Sequence, residues 1–173
     1  MEAMADSEDL ARDFCEYSRK KLIGEFWLRT CTCLDALTDE QVWWRPNEAS
    51  NSIGNLLLHL NGNIRQWIVH GIGEIAYERD RDAEFAERKH LPVSVLRAKL
   101  DETLQQASAV LSGLSAGDLI KRHTIQGYEV SALDAIYHVV EHFAMHHGQI
   151  LYLTKALTGE DLGFYRHLSG KHH

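Results

Sequence analysis

Residues 131–158, SALDAIYHVVEHFAMHHGQILYLTKALT, decide the fold of this chain, because apolar side chains surround almost the whole of the helix that they predict. Ser131, with Asp134 three residues later, is close to a capping box, which marks the start of a helix, and Gly159 provides the stop. A helix that is apolar nearly all round is typical of the middle of a bundle. The stretch therefore predicts a buried last helix in an all-α protein.

Three earlier segments also carry apolar residues at helical spacing. They run approximately from Ser7 to Leu37, from a cap at Asn51 or Ser52 to the glycines Gly71 and Gly73, and, after Pro92, from a cap at Ser94 to Gly113. Together with the last helix they predict a four-helix bundle that forms a single domain over residues 1–173.

The connections between these helices differ in character. They read LTDEQVWWRPNEASNS at 37–52, ERDRDAEFAERKH at 78–90 and GDLIKRHTIQGYEV at 117–130. The first is interpreted as a loop packed down by its aromatic side chains, and the second as a charged surface connection with a helical turn. The third has a turn signal at Gly127 and short apolar pieces whose structure stays open. The second and third are long enough to permit crossovers.

Composition excludes several classes of protein. An apolar content of 45% in 173 residues is enough for a real hydrophobic core. The net charge of −7, without any basic block, is not that of a nucleic-acid-binding protein. No stretch approaches the roughly 18 consecutive apolar residues of a membrane-spanning helix. The acidic start, MEAMADSEDL, does not resemble a secretory signal.

The three cysteines, Cys15, Cys31 and Cys33, are an odd number, and the last two are two residues apart, so that on a helix they point to different sides. Free thiols in a reducing compartment are the simplest interpretation. We therefore expect a cytoplasmic protein.

Histidines are concentrated in the last predicted helix. His138, His142 and His146 are four residues apart and so rise along one face. A buried imidazole without partners costs roughly 1–3 kcal/mol, so this face needs a ligand or hydrogen bonds. Two histidines at this spacing can grip one metal ion, and His59, within LLLHL of the second predicted helix, could supply a third imidazole. The alternatives are that His59 is a core residue bonded to a carbonyl, or that the histidines act as a pH switch.

Two segments, SIGNLLLHLNGNIRQWI at 52–68 and HVVEHFAMHHGQILYLTKALTG at 138–159, resemble the DinB-like family, also called YfiT-like metalloenzymes. The resemblance covers most of the chain, from Ser7 to Leu162. It implies a four-helix bundle with a long crossover between the second and third helices, and commonly a homodimer. It also implies a divalent metal ion bound by His59, His142 and His146.

Other polar residues near these positions are expected to support the site. The resemblance leaves His138 and His147 outside the ligand positions, and we assign both to supporting or structural roles. Candidates for orienting the ligand imidazoles are Asn55, Asn63, Gln66, Glu141 and Gln149. The terminal Lys171, His172 and His173 are excluded from the site.

The sequence predicts no protein nucleophile, since it has no GxSxG elbow, phosphate-binding glycine loop or dinucleotide fingerprint. A metal ion would therefore carry any catalysis, with zinc or nickel favoured and iron or manganese as alternatives. The family resemblance implies a thiol-dependent S-transferase that uses a low-molecular-weight thiol and a small-molecule substrate. A metal-dependent hydrolase and a non-catalytic metal-binding stress or damage-inducible protein are the alternatives.

Trp43, Trp44 and Trp67 are candidates either for packing or for a dimer surface.

Overall fold

The computed structural model describes residues 2–88 and 91–166, and the side chains from Asp6 onward. In chain order the elements are α1 (Glu2–Arg19), a π-helical segment (Lys20–Trp27), α2 (Leu28–Asp35), α3 (Asp39–Trp43), α4 (Ile53–Ile64), a second π-helical segment (Arg65–His70), α5 (Arg81–Ala86), α6 (Val93–Ser112), α7 (Ala116–Ile120), β1 (Arg122–Ile125), β2 (Tyr128–Ser131) and α8 (Ala132–Thr158). The first π-helical segment joins α1 and α2 into one continuous rod, and the second extends α4. With α6 and α8 these make four long rods, which confirm the predicted all-α four-helix bundle.

Contacts along the rods fix their directions. Asn61 of α4 accepts a hydrogen bond of 2.7 Å from Thr103 of α6. Further along the chain, Gly73, just after the helix that continues α4, lies beside Val110 of α6. A Cβ added at Gly73 would be 2.6 Å from a methyl group of Val110. The residue numbers rise together in both helices, so α4 and α6 are parallel. Residues 71–92 must therefore return the chain along the length of the bundle, which confirms the expected long crossover.

The last helix, α8, runs antiparallel to α4 and parallel to the first rod. Its antiparallel packing brings His142 to His59. On its other side Phe26 stacks on Phe143 with ring centroids 6.0 Å apart, and Thr30 meets His147. This arrangement lets the two faces of one helix contact different rods.

The core lies where the four rods meet. Its largest fully buried side chains are Leu22, Ile53, Leu57, Leu60, Ile64, Ile68, Leu96, Leu100, Leu104, Leu111, Ile136 and Phe143. Burial of such side chains contributes about 1.5–3 kcal/mol each relative to exposure. Trp43 and Trp67 are also buried, whereas Trp44 is exposed, so of these three tryptophans only Trp44 could contribute to a dimer surface.

Helix ends follow the local signals in α4 and α8. The side chain of Ser131 accepts from the backbone of Asp134 in a capping box, and Ser52 does the same with Asn55. Gly159 has a φ of 71°, the left-handed conformation that suits a glycine after a helix. The expected cap at Ser94 is wrong, because α6 already begins at Val93 with Pro92 as its N-cap.

The expectation about the last helix needs correction, and the segment left open in sequence has a defined structure. The helix α8 is not buried all round, since Leu133, Tyr137, Met145 and Tyr152 are exposed along one side. The open segment 117–130 contains part of a short antiparallel hairpin, in which β1 pairs with β2. Its turn uses Gln126 and Gly127, both with positive φ. The terminal residues Lys171–His173 lie outside the described residues.

The described cysteines are all free, with Cys15 and Cys33 buried and Cys31 partly so. Over residues 2–88 and 91–166, no helix is both long and apolar enough to cross a membrane.

Candidate metal centre

Three histidines converge from the two antiparallel helices α4 and α8. His59, His142 and His146 each offer one nitrogen, and these nitrogens all lie within 4.8 Å of one another. Nε2 of His59 is 2.9 Å from Nε2 of His142. The ring of His146 lies with its centroid 5.1 Å from that of His59 and 4.5 Å from that of His142. The structure therefore brings together all three residues that the sequence singled out as ligands.

The three imidazoles of the cluster differ in burial. His59 is buried at 4% exposure, whereas His142 and His146 are partly exposed. Burial, together with the neighbouring His146 and His59, lowers the pKa of His142 to about 3. Burial also lowers the pKa of His146, although its bond to Gln149 opposes the change. These imidazoles are therefore held in the neutral form that binds metal ions.

Hydrogen bonds at the outer nitrogens orient two of the rings. Nδ1 of His146 lies 2.7 Å from the side-chain oxygen of Gln149, as expected for a supporting residue. Nδ1 of His59 lies 2.9 Å from a carboxylate oxygen of Glu84. With a proton on each Nδ1, both Nε2 atoms present lone pairs to the cluster.

The donor set fits a divalent metal ion. Nε2 of His146 is buried and has no hydrogen-bond partner among the described residues, and a buried polar atom in that state is costly. Nε2 of His59 and Nε2 of His142 face each other at 2.9 Å, a separation that requires a proton or a cation between the two nitrogens. The three histidines could thus hold one metal ion.

Glu84 and Arg79 were missed by the sequence analysis. The charged stretch 78–90 is not wholly a surface connection, because the side chains of Arg79 and Glu84 are only 4% and 9% exposed. Burial alone would raise the pKa of Glu84, but its bonds to Arg79 and His59 prevail and lower that pKa. One feature of the sequence could have indicated this contact. Gly62 follows His59 by nearly one helical turn, and its missing side chain leaves room for Glu84 and Arg79.

The remaining candidates have separate partners. Asn55 donates to the carbonyl of Glu84 at 3.0 Å and so holds the crossover on α4. Asn63 contacts Nε2 of His138 at 3.3 Å, and Gln66 accepts from Arg79 at 2.9 Å. Glu141 is exposed on the outer side of α8. Asn55 and Gln66 therefore hold Glu84 and Arg79 in place and are not themselves bonded to the ligand imidazoles in these contacts.

Two histidines of α8 stay outside the cluster, as expected. His138 packs against the ring of Trp67 at 4.2 Å and stacks on His142. His147 meets Thr30 on the opposite side of the helix. A pH switch near neutrality is disfavoured, since a pKa of about 3 keeps His142 neutral between pH 5 and 8.

The chain matches known proteins in two ways. The model of the family described as "Protein of unknown function (DUF1572)" matches residues 9–169. The crystal structure of a DinB-like protein from Bacillus cereus ATCC 10987 is similar, with a TM-score of 0.62 and 18% identity over 79% of this chain and 88% of that one. No curated protein matches the sequence. The fold is DinB-like, and the chain belongs to the DUF1572 family.

Proposed function

We propose that this protein is a divalent-metal-dependent enzyme in which His59, His142 and His146 bind the metal ion. The observation that carries the proposal is the convergence of three imidazoles, in which Nε2 of His146 is buried and has no hydrogen-bond partner among the described residues. Without a cation this buried nitrogen would destabilise the fold, because buried polar atoms that lack a partner cost free energy. A bound metal ion would remove that cost.

An open catalytic site is favoured over a closed structural one. Structural zinc sites use four protein ligands, whereas catalytic sites use three and leave a position for substrate. His138, the next histidine along this face of α8, contacts Asn63 and does not belong to the cluster of described residues within 4.8 Å. The partial exposure of His142 and His146 supports access from solvent.

Zinc or nickel is the metal that we propose. Three imidazole nitrogens suit these borderline ions, while iron and manganese sites more often include carboxylate ligands. In this site the carboxylate, Glu84, faces the outer nitrogen of His59 instead.

A groove beside the cluster supports a small-molecule substrate. It has a volume of about 510 Å³ and runs between the loop at Asn51 and the outer side of α8 at Met145 and Tyr152. Gln149 lines this groove and also bonds to His146. The lining side chains among the described residues are all uncharged, so the groove favours a small uncharged substrate or substrate portion.

The nucleophile would come from solution. A divalent ion bound by neutral imidazoles lowers the pKa of a coordinated thiol or water toward neutrality. The protein's own thiols are unsuited, since burial raises the pKa of Cys15, Cys31 and Cys33. We therefore favour a transferase that joins the sulfur of a low-molecular-weight thiol to an electrophilic carbon as a leaving group departs, with a hydrolase as the sibling reaction.

Elemental analysis of untagged protein, beside a His142→Ala variant, tests the metal site first. The proposal predicts about one ion of zinc or nickel per chain in the wild type and a large loss in the variant. Metal-loaded protein is then incubated with a panel of thiols and an aryl chloride, and separately with ester and amide substrates. A thioether product supports the transferase and a hydrolysis product supports the hydrolase. If neither forms, the enzymatic proposal fails and a metal-binding protein without catalysis is left.

We also propose a cytoplasmic homodimer. Free cysteines support the compartment, and the exposed apolar side chains Leu133 and Tyr137 on α8, which do not line the groove, offer a surface for association. Light scattering during gel filtration tests the dimer, and a monomeric mass at micromolar concentration contradicts it.

A further inference from the structure

We infer that Arg79 and Glu84 of the crossover form a positioning pair for His59, which holds the proton on Nδ1, turns Nε2 to the metal ion, and couples metal binding to docking of the crossover. The inference rests on the proposed function in one respect, namely that His59 binds the metal. Neither residue is a metal ligand in this proposal, since both act through the ring of His59.

The proton on Nδ1 follows from what surrounds that nitrogen. Oε2 of Glu84 lies at 2.9 Å and Nη2 of Arg79 at 3.1 Å. A guanidinium can only donate, and the two N–H groups of Nη2 already have acceptors in the same carboxylate oxygen at 2.8 Å and the backbone carbonyl of His59 at 3.4 Å. An ionised carboxylate can only accept, so the favourable arrangement has Nδ1–H donating to Glu84. The lone pair of His59 is then at Nε2, on the side of His142.

The carboxylate is itself held in place by a fork of hydrogen bonds. Nε of Arg79 donates to Oε1 of Glu84 at 2.7 Å while Nη2 donates to Oε2. The remaining guanidinium nitrogen, Nη1, donates to Gln66 of the second π-helical segment at 2.9 Å. Such a bidentate pair fixes direction as well as distance, and burial makes the loss of either partner costly.

The backbone around the pair is anchored to the helix that carries His59. Asn55, one turn before His59, donates to the carbonyl of Glu84. Phe85 places its ring centroid 4.7 Å from that of His59 and covers the imidazole. Gly62 provides the space, because a Cβ there would lie 1.9 Å from Oε1 of Glu84. Several independent contacts thus converge on one placement of the crossover against one imidazole.

A coupling follows from this arrangement. If the docked crossover favours the metal-binding form of His59, the metal ion must favour the docked crossover by the same factor. Partners that orient a ligand histidine typically change metal affinity by about 10- to 100-fold. The crossover is accordingly expected to become more protected when the metal binds.

The test compares Glu84→Gln with Glu78→Gln, a matched loss of charge at an exposed position of the same crossover. Affinity is measured for Zn²⁺ by chelator competition, and the visible spectrum of bound Co²⁺ reports ligand geometry. We expect Glu84→Gln to bind Zn²⁺ about 10- to 100-fold more weakly and to alter the Co²⁺ spectrum, whereas Glu78→Gln matches the wild type. Hydrogen exchange in 78–88 should slow when Zn²⁺ is added to the wild type, and less so in Glu84→Gln.

A second measurement needs neither a variant nor a metal ion. NMR of the imidazole nitrogens in the metal-free wild type shows which nitrogen of His59 carries the proton. The positioning pair requires the Nδ1–H form of His59. An Nε2–H form, or an unchanged Zn²⁺ affinity and Co²⁺ spectrum in Glu84→Gln, overturns it. A wild-type protein that binds no metal contradicts the proposed function and the coupling, while the Nδ1–H form would still support the orienting role of Glu84.

Discussion

The hydroxyl of Thr30 lies 3.0 Å from Nδ1 of His147, on the side of α8 that faces α2. The preceding residue, His146, faces α4 and the metal cluster instead. Successive helical residues are about 100° apart, so two adjacent histidines reach two different rods. One belongs to the candidate metal centre and the other to the packing of the bundle.

Replacement of His147 by alanine should therefore destabilise the fold without removing the metal. Thr30 is fully buried and would lose its partner, so we expect the free energy of unfolding to fall by about 2 kcal/mol. Urea denaturation of the metal-free protein measures the loss, and elemental analysis should still find the wild-type metal content. Thr30→Val removes the same bond with little change in volume and is the matched control. Loss of the metal in His147→Ala would contradict the assignment.

His138 offers a test of the three-ligand site. Its Nε2 is 3.3 Å from the amide nitrogen of Asn63 and its ring packs on Trp67. We expect His138→Ala to keep one metal ion per chain, with an affinity within a few-fold of the wild type, and to lose about 1–2 kcal/mol of stability. Calorimetric titration with Zn²⁺ measures the metal affinity of His138→Ala and, for comparison, of His146→Ala, which removes a proposed ligand. Equal losses of affinity in the two would mean that His138 is a fourth ligand.

The metal-free protein should become less stable as the solution is acidified. In the folded chain burial and the neighbouring histidines hold the pKa of His142 at about 3, whereas in the unfolded chain it returns to about 6.5. Between these values the unfolded state binds the extra proton, so stability is full above the upper value and falls as the pH drops toward the lower one. Thermal melts in chelator across this range measure the slope, and His142→Gln should flatten it. A slope as steep in the variant would assign the effect to other groups.

Much of the fold could be predicted because its signals are local. The capping box at Ser131 and the left-handed Gly159 bound α8 as expected. The spacing of His142 and His146, with His59 among leucines, indicated a cluster, and the resemblance to the DinB-like family implied that these three histidines are the ligands. These features depend on residues a few positions apart, or on two helices that a bundle must pack together.

What escaped prediction depends on tertiary contacts. In sequence, Glu84 and Arg79 look like solvated charges, and only the path of the crossover buries them against His59. The exposed side of α8 escaped for the converse reason, since residues such as Tyr137 and Tyr152 are apolar but lie outside the core. Composition alone does not separate a buried apolar face from an exposed one.

Two glycines on long helices provide the last prediction. A Cβ at Gly62 would lie 1.9 Å from Oε1 of Glu84 and 2.8 Å from Nε of Arg79, whereas a Cβ at Gly148 would meet nothing within 4 Å. Gly148→Ala should stabilise the protein by about 0.5–1 kcal/mol, since alanine is the better helix former. Gly62→Ala should instead lose about 2–4 kcal/mol, because it expels a buried ion pair from its place beside the helix. Urea denaturation of both metal-free variants measures the contrast, and a stabilising Gly62→Ala would mean that the crossover does not pack on α4 as described.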